Sequence, residues 1–163
     1  MNSTERRTDV QTEGDRVLRV TRVFDAPREL VFKAWTDRDA LMNWWGPREW
    51  PLAHCTLDLR VGGRWHYCMK GPNGEEAWGL GVYTEITPVS RLAYVDTFSD
   101  AEGSANPPET LMTVELEDLG DGRTRMNSTA EFASEAQRKQ VMEMGMVEGL
   151  TESLDRLDEH LAA

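Results

Sequence analysis

Cysteine is nearly absent from this chain. Cys55 and Cys68 are the only two in 163 residues, too few for a disulfide framework, and a chain of this length buries about two-thirds of its unfolded surface without one. Histidine is almost as scarce: His54, His66 and His160 have no third ligand at a workable spacing, so no metal site is assigned. Positive charge is outweighed, with 18 Lys and Arg against 29 Asp and Glu, a formal charge of -11 and a pI near 4.7. That balance repels phosphate backbones and anionic lipid head groups, and no Lys/Arg stripe offsets it, so nucleic acid and membrane surfaces are excluded as partners. No segment approaches the length of a membrane span, and the start, Met1 to Arg7, lacks the apolar stretch of a signal peptide; the expected location is cytoplasmic. Also missing are Gly-x-Ser-x-Gly, a Walker loop, His-Glu-x-x-His, Cys-x-x-Cys and a Gly-x-Gly-x-x-Gly after a strand. No catalytic residue and no cofactor are therefore assigned.

Tryptophan is what the chain does have. All six lie between Trp35 and Trp78, three of them within Trp44-Trp45-Gly46-Pro47-Arg48-Glu49-Trp50. Each offers roughly 150–250 Å² to bury, more apolar wall than one loop needs, so the cluster points to a cavity or a contact surface.

Residues 1–15 are polar and aperiodic, and a disordered tail is expected there, followed by a single domain over 16–163. Val17 to Phe24 read as a strand. Asp25-Ala26-Pro27 opens a short helix with Leu30, Val31, Ala34 and Trp35 on one face, and Thr36-Asp37 caps a second that Gly46-Pro47 stops. Six further strands are predicted at about 50–60, 63–70, 76–87, 91–98, 110–119 and 123–132. Gly/Pro/Asn/Asp clusters separate them, of which only 99–109 is a long loop, mobile by composition. The short connections make the sheet antiparallel. Ser134 with Gln137 forms a capping box, Gln137 reaching the Ser134 N–H, and opens a helix of about seven turns. Its inward face carries Met142, Met146, Gly149, Leu150, Ser153, Leu154, Leu157 and Leu161. The fold class is α+β: a helix-grip, a curved antiparallel sheet of six to seven strands wrapped around a long C-terminal helix, with two short helices after the first strand.

Hydrophobic matching across a three-residue loop, Val61-Gly62-Gly63, sets Leu59 against Trp65, Leu57 against Tyr67 and Cys55 against Met69. Cys55 then faces inward and Cys68 outward, so both thiols are free. The same register sets Asp58 opposite His66 as a solvated pair.

The inner face is expected to carry Trp65, Tyr67, Met69, Trp78, Leu80, Val82, Leu92, Tyr94, Phe98, Met112, Val114 and Met126, with Met142 and Met146 facing them from the helix. One helix seldom fills a strongly curved sheet, and methionine adapts to irregular space, which suits a pocket of loose specificity. Asp96 interrupts the apolar series. Facing inward it needs a hydrogen bond, a proton or a polar ligand group; alternatively a bulge turns it outward near the strand end. The candidate binding residues are Trp44, Trp45, Trp65, Tyr67, Trp78, Asp96, Phe98, Met112, Met142 and Met146.

Several segments carry a family signature: Arg22-Val23-Phe24-Asp25-Ala26-Pro27-Arg28-Glu29-Leu30-Val31-Phe32-Lys33-Ala34-Trp35-Thr36, then Trp44-Trp45-Gly46-Pro47, Asp58-Leu59-Arg60-Val61-Gly62-Gly63, Gly81 to Pro88 with Arg91-Leu92, Gly145 to Gly149, and Ser153 to Leu157. In order and spacing, from about Arg16 to Leu161, they resemble the bacterial proteins related to the activator of Hsp90 ATPase. These belong to the START-like, Bet v 1-like (SRPBCC) superfamily. The resemblance implies a helix-grip domain with an internal cavity, and relatives that bind lipids, sterols, polyketides or other apolar molecules, a minority being enzymes. It implies no shared catalytic motif. Hsp90 activation is discounted, because the separate N-terminal module of the eukaryotic co-chaperone is not part of the sequence. The expected partner is a small apolar or aromatic molecule. The alternatives are a protein-interaction surface, chaperone-like or homodimeric, built from Trp44 to Trp50, and cyclase, hydrolase or lyase chemistry with Asp96 or Tyr67 as the acid–base group.

Overall fold

The computed structural model describes residues 8–163. Residues 1–7 of the expected tail lie outside the described residues, and the remainder is not a tail. Asp9–Glu13 forms strand β1, which pairs antiparallel with β2 (Val17–Phe24) from Asp9↔Thr21 to Glu13↔Val17, through a turn with Gly14 at φ 54°. Sequence periodicity misses β1 because it is an edge strand, exposed at nearly every position and supported by backbone hydrogen bonds.

After β2 come helices α1 (Arg28–Thr36) and α2 (Arg38–Trp44), then strands β3 (Leu52–Leu57), β4 (Arg64–Lys70), β5 (Glu76–Thr87), β6 (Arg91–Ser99), β7 (Ala105–Gly120) and β8 (Arg123–Glu131). Asp37 caps α2, its Oδ2 accepting from the Ala40 N–H at 3.1 Å. All eight strands join one antiparallel sheet in the order β1-β2-β8-β7-β6-β5-β4-β3, one strand more than the upper expectation. The long loop predicted over 99–109 shrinks to a turn, because β6 and β7 stay paired out to Ser99↔Ala105.

The C-terminal helix is divided. Helix α3 (Glu135–Glu143) ends at Met144, and α4 (Met146–Ala162) begins after Gly145, whose φ of 93° belongs to the left-handed region that glycine adopts without a steric penalty. Gly145 is thus the joint of two helices, where a single helix of about seven turns is expected from the sequence. Ser134 Oγ accepts from the Gln137 N–H at 3.1 Å as expected, but Gln137 Oε1 accepts from Ala133, one residue before the N–H predicted for it. Leu154 and Leu157 of α4 are fully buried against the sheet, with Leu18, Val20, Phe24, Val114 and Met126 in the same core.

The first hairpin has the predicted parity but a different register. Cys55 lies opposite Tyr67, Leu57 opposite Trp65 and Thr56 opposite His66. The connection is six residues, 58–63, closed by Gly63 N–H donating to Arg60 O at 2.7 Å. A Cβ at Gly63 would sit 2.0 Å from the Asp58 carbonyl oxygen, so the chain turns tightly there and the pairing slides by two residues. Leu59 falls in the loop, and Asp58 pairs with Arg60 Nε at 2.6 Å instead of with His66. Cys55 and Cys68 are both buried and free, on opposite faces.

Candidate functional site

The concave face of the sheet is lined by every second residue of each strand. On β4 these are Trp65 and Tyr67, on β6 Leu92, Tyr94 and Asp96, and on β7 Thr110, Met112 and Val114. The register on β5 corrects the sequence reading: Gly79, Gly81 and Tyr83 face inward, while Trp78, Leu80 and Val82 face out. Sterics decide this. A Cβ at Gly79 would lie 2.3 Å from Tyr67 Cζ, and one at Gly81 would lie 3.1 Å from Tyr94 Cδ2 and 3.5 Å from Trp65 Cε3. Rings from β4 and β6 fill the space that side chains at Gly79 and Gly81 would need. Trp78 instead stacks on His66 at 4.9 Å and contacts His54 at 5.5 Å on the outer face, with its Nε1 donating to Glu76 Oε1.

The inward rings interlock. Trp45, at the C-terminus of α2, meets Trp35 and Trp44 at 5.5 Å, Trp65 at 4.8 Å and Tyr67 at 5.9 Å, all edge to face. Trp65 continues the chain to Tyr67 at 4.7 Å and Tyr94 at 5.5 Å. The aromatic wall expected to border a hollow therefore packs largely on itself, with each edge-to-face pair contributing about 0.5–1.5 kcal/mol beyond its area. Trp44 is core, fully buried, with its Nε1 donating to Ala34 O at 2.9 Å. Trp35 Nε1, Trp65 Nε1 and Tyr83 Oη are buried without an oxygen or nitrogen acceptor; Trp65 has only the Cys55 thiol beside it.

Asp96 faces inward, which settles the choice left open by the sequence. It lies opposite Gly81 on one side and Thr110 on the other, and its Oδ1 accepts a 3.4 Å hydrogen bond from Tyr67 Oη. Loss of water pushes its carboxyl up to about 7, and the Tyr67 hydroxyl pulls only weakly the other way. No Lys or Arg among the described residues offsets that charge. Burial, and then the Asp96 charge, push the phenols of Tyr67 and Tyr94 well above their ordinary value, so Tyr67 acts as a donor.

Around Asp96 the filling thins. Phe98, next on the inward face, is 56% exposed. Away on the helical layer, Met142 of α3 and Met146 at the start of α4 are half-buried against the core. Met112 is buried beside Tyr94. Of the predicted residues, then, Trp45, Trp65, Tyr67, Asp96 and Met112 come together on the concave side, with Phe98 exposed beyond Asp96, Met142 and Met146 half-buried on α3 and α4, Trp44 behind and Trp78 outside. Gly79-Leu80-Gly81 reads in the sequence as a strand pair of glycines where a backbone or ring packs close, and the Tyr67 and Tyr94 rings do pack there. Thr110 is not among the candidate residues. Two open hollows lie elsewhere. One, of about 330 Å³, sits between α1, α2 and the end of α4 and includes Leu30, Lys33, Asn43 and His160. The other, of about 530 Å³, is lined by Arg22, Asp25, Arg48, Asp155, Asp158 and Glu159. Among the described residues no group of three or more His, Cys, Asp or Glu is placed to hold a metal ion, and no helix is long and apolar enough to cross a membrane.

Comparison with known proteins adds a lineage. Residues 25–162 match the family model described as activator of Hsp90 ATPase homolog 1-like protein. The chain is similar to a protein from Arthrobacter aurescens solved by solution NMR, at 35% identity and TM-score 0.88, over 94% of this chain and 91% of the other. It is also similar to a Mycobacterium smegmatis protein solved by crystallography, at 30% identity and TM-score 0.85, over 94% and 96% of the two chains. A crystallised Nitrosomonas europaea protein matches at 28% identity and TM-score 0.82, over 92% and 96%. No curated protein matches significantly.

Proposed function

Since the chain belongs to the activator of Hsp90 ATPase homolog 1-like family, of the Bet v 1/SRPBCC superfamily that commonly binds hydrophobic ligands, we propose that it binds a small apolar or aromatic molecule non-covalently against the concave face of its sheet. One observation carries this reading: an inward carboxylate, Asp96, stands at the end of an interlocked aromatic row, with the exposed Phe98 next to it on the same face. Trp45, Trp65, Tyr67 and Met112 supply the apolar wall. Side-chain adjustment at Met112 makes room, because the thioether chain has three rotatable bonds and no branch. Native mass spectrometry of freshly purified protein, with saturable binding of the neutral probe N-phenyl-1-naphthylamine read by energy transfer from tryptophan, tests the reading. A co-purifying small molecule or saturable binding supports it. The absence of both removes it.

The Asp96 environment also favours a second reading, general acid–base chemistry at the same place. A carboxyl at about 7 exchanges its proton near neutral pH, and Tyr67 is within reach as a donor. Turnover of a bound molecule that disappears in Asp96→Asn while binding persists would establish it. The protein-interaction reading gains less, because Trp44 is buried and Trp45 and Trp50 are half-buried, leaving little indole on the surface.

A further inference from the structure

The aromatic row ends on an unneutralised negative group, and that ending constrains the chemistry of what fits beside it. We propose that the molecule bound on the concave face carries a protonated amine at one end of its apolar body, and that this amine pairs with the Asp96 carboxylate. The inference rests on the binding reading above and adds the identity of the polar end.

Three observations support it. First, among the described residues Asp96 accepts only the long 3.4 Å hydrogen bond from Tyr67, although a carboxylate has about four acceptor positions, so most of its capacity is unspent. Second, the described residues around it supply no positive charge. On β4 it faces the Tyr67 hydroxyl, on β5 the bare backbone of Gly81, on β7 Thr110, and on its own strand Tyr94. Third, Trp65, Tyr67 and Tyr94 lie together with ring centroids 4.7 and 5.5 Å apart. Aromatic faces attract a cation held near them, and more strongly where water is excluded. A half-buried carboxylate beside electron-rich rings discriminates in a definite order: an ammonium gains a charge-assisted hydrogen bond, an alcohol gains a neutral one, and a carboxylate is repelled. The net charge of -11 favours the approach of cationic ligands over anionic ones.

Competition against N-phenyl-1-naphthylamine at pH 8, using the full chain, tests the inference with three probes that share one apolar body: 4-phenylbutylamine, 4-phenylbutan-1-ol and 4-phenylbutyrate. The expected result is that the amine binds about tenfold tighter than the alcohol, the size of one charge-assisted contact, with the carboxylate weakest. In Asp96→Asn, checked for folding by near-UV circular dichroism, the amine's advantage should fall below about twofold. Equal affinities, a preference for the carboxylate, or an amine preference that survives Asp96→Asn each overturn the inference while leaving apolar binding intact. The wild-type ranking decides the matter even if the variant does not fold. If the naphthylamine itself shows no saturable binding, the binding reading fails and the inference falls with it, an outcome distinct from the others.

Discussion

Gly79 and Tyr67 should be energetically inseparable. A Cβ added at Gly79 lies 2.3 Å from Tyr67 Cζ and 2.4 Å from its Oη, so the ring must retreat by about 1 Å to reach ordinary contact near 3.4 Å. It has little freedom to do so, because Trp65 holds it at 4.7 Å and Trp45 at 5.9 Å. Overpacking of this kind costs about 1–3 kcal/mol, partly offset by the roughly 0.5–1 kcal/mol that alanine gains over glycine inside a strand. With Tyr67→Ala the obstructing ring is gone, at a cost of about 3–5 kcal/mol for the lost packing. In that background Gly79→Ala should stabilise by the roughly 0.5–1 kcal/mol of the strand preference alone. The double-mutant cycle should therefore return a coupling of about 1–3 kcal/mol. Urea unfolding followed by far-UV circular dichroism measures it, with constant m-values confirming that the unfolded states are comparable. A coupling below about 0.5 kcal/mol would show that the glycine does not make room for the ring, and the assignment of β5 faces would fall.

Two further outcomes follow from the same contacts. The Asp96 carboxyl is raised from 3.8 to about 7 in the folded chain. As pH climbs from about 4 to 7 the unfolded chain therefore releases the proton first, and wild type should lose stability relative to Asp96→Asn by up to roughly 1.4 kcal/mol per pH unit. A stability gap that stays constant from pH 4 to 8 would mean that Asp96 is solvated. Arg156 of α4 donates to the carbonyls of Asn43 at 2.9 Å, Gly46 at 2.8 Å and Trp45 at 3.3 Å. Arg156→Ala should cost about 1–3 kcal/mol in urea unfolding, and Arg156→Lys should recover only part, since one ammonium does not reproduce a guanidinium fork. Full recovery by lysine would reduce the contact to charge alone.

How far the sequence reaches can be read from individual residues. The elements with strong periodicity, β2 to β8 and the two short helices, were legible because burial imposes the period that the reading uses. Asp37 as a cap and Ser134 with Gln137 were legible because side-chain oxygens satisfy orphan N–H groups at fixed offsets. β1 was not, since a solvent-facing edge strand needs no apolar alternation. The inward face of β5 was misread for a different reason: apolar matching puts Trp78, Leu80 and Val82 inside, whereas the rings of Tyr67 and Tyr94 had already taken that volume from the neighbouring strands. Local pattern does not encode how much space a neighbour occupies. The same blindness hid the joint at Gly145, where Met142 and Met146 keep helical spacing across a break in the backbone.

That joint separates two anchorages. Arg138 of α3 donates to the carbonyls of Glu13, Gly14 and Val17, which fastens the first helical half to the β1–β2 margin of the sheet. Arg156 fastens the second half to the end of α2, which packs on β3 at the far margin. The two rods are thus moored on opposite shores with only Met144 and Gly145 between them. One backbone turn therefore lets a single C-terminal segment brace both margins of the sheet, while Leu154 and Leu157 of its second half stay buried in the core.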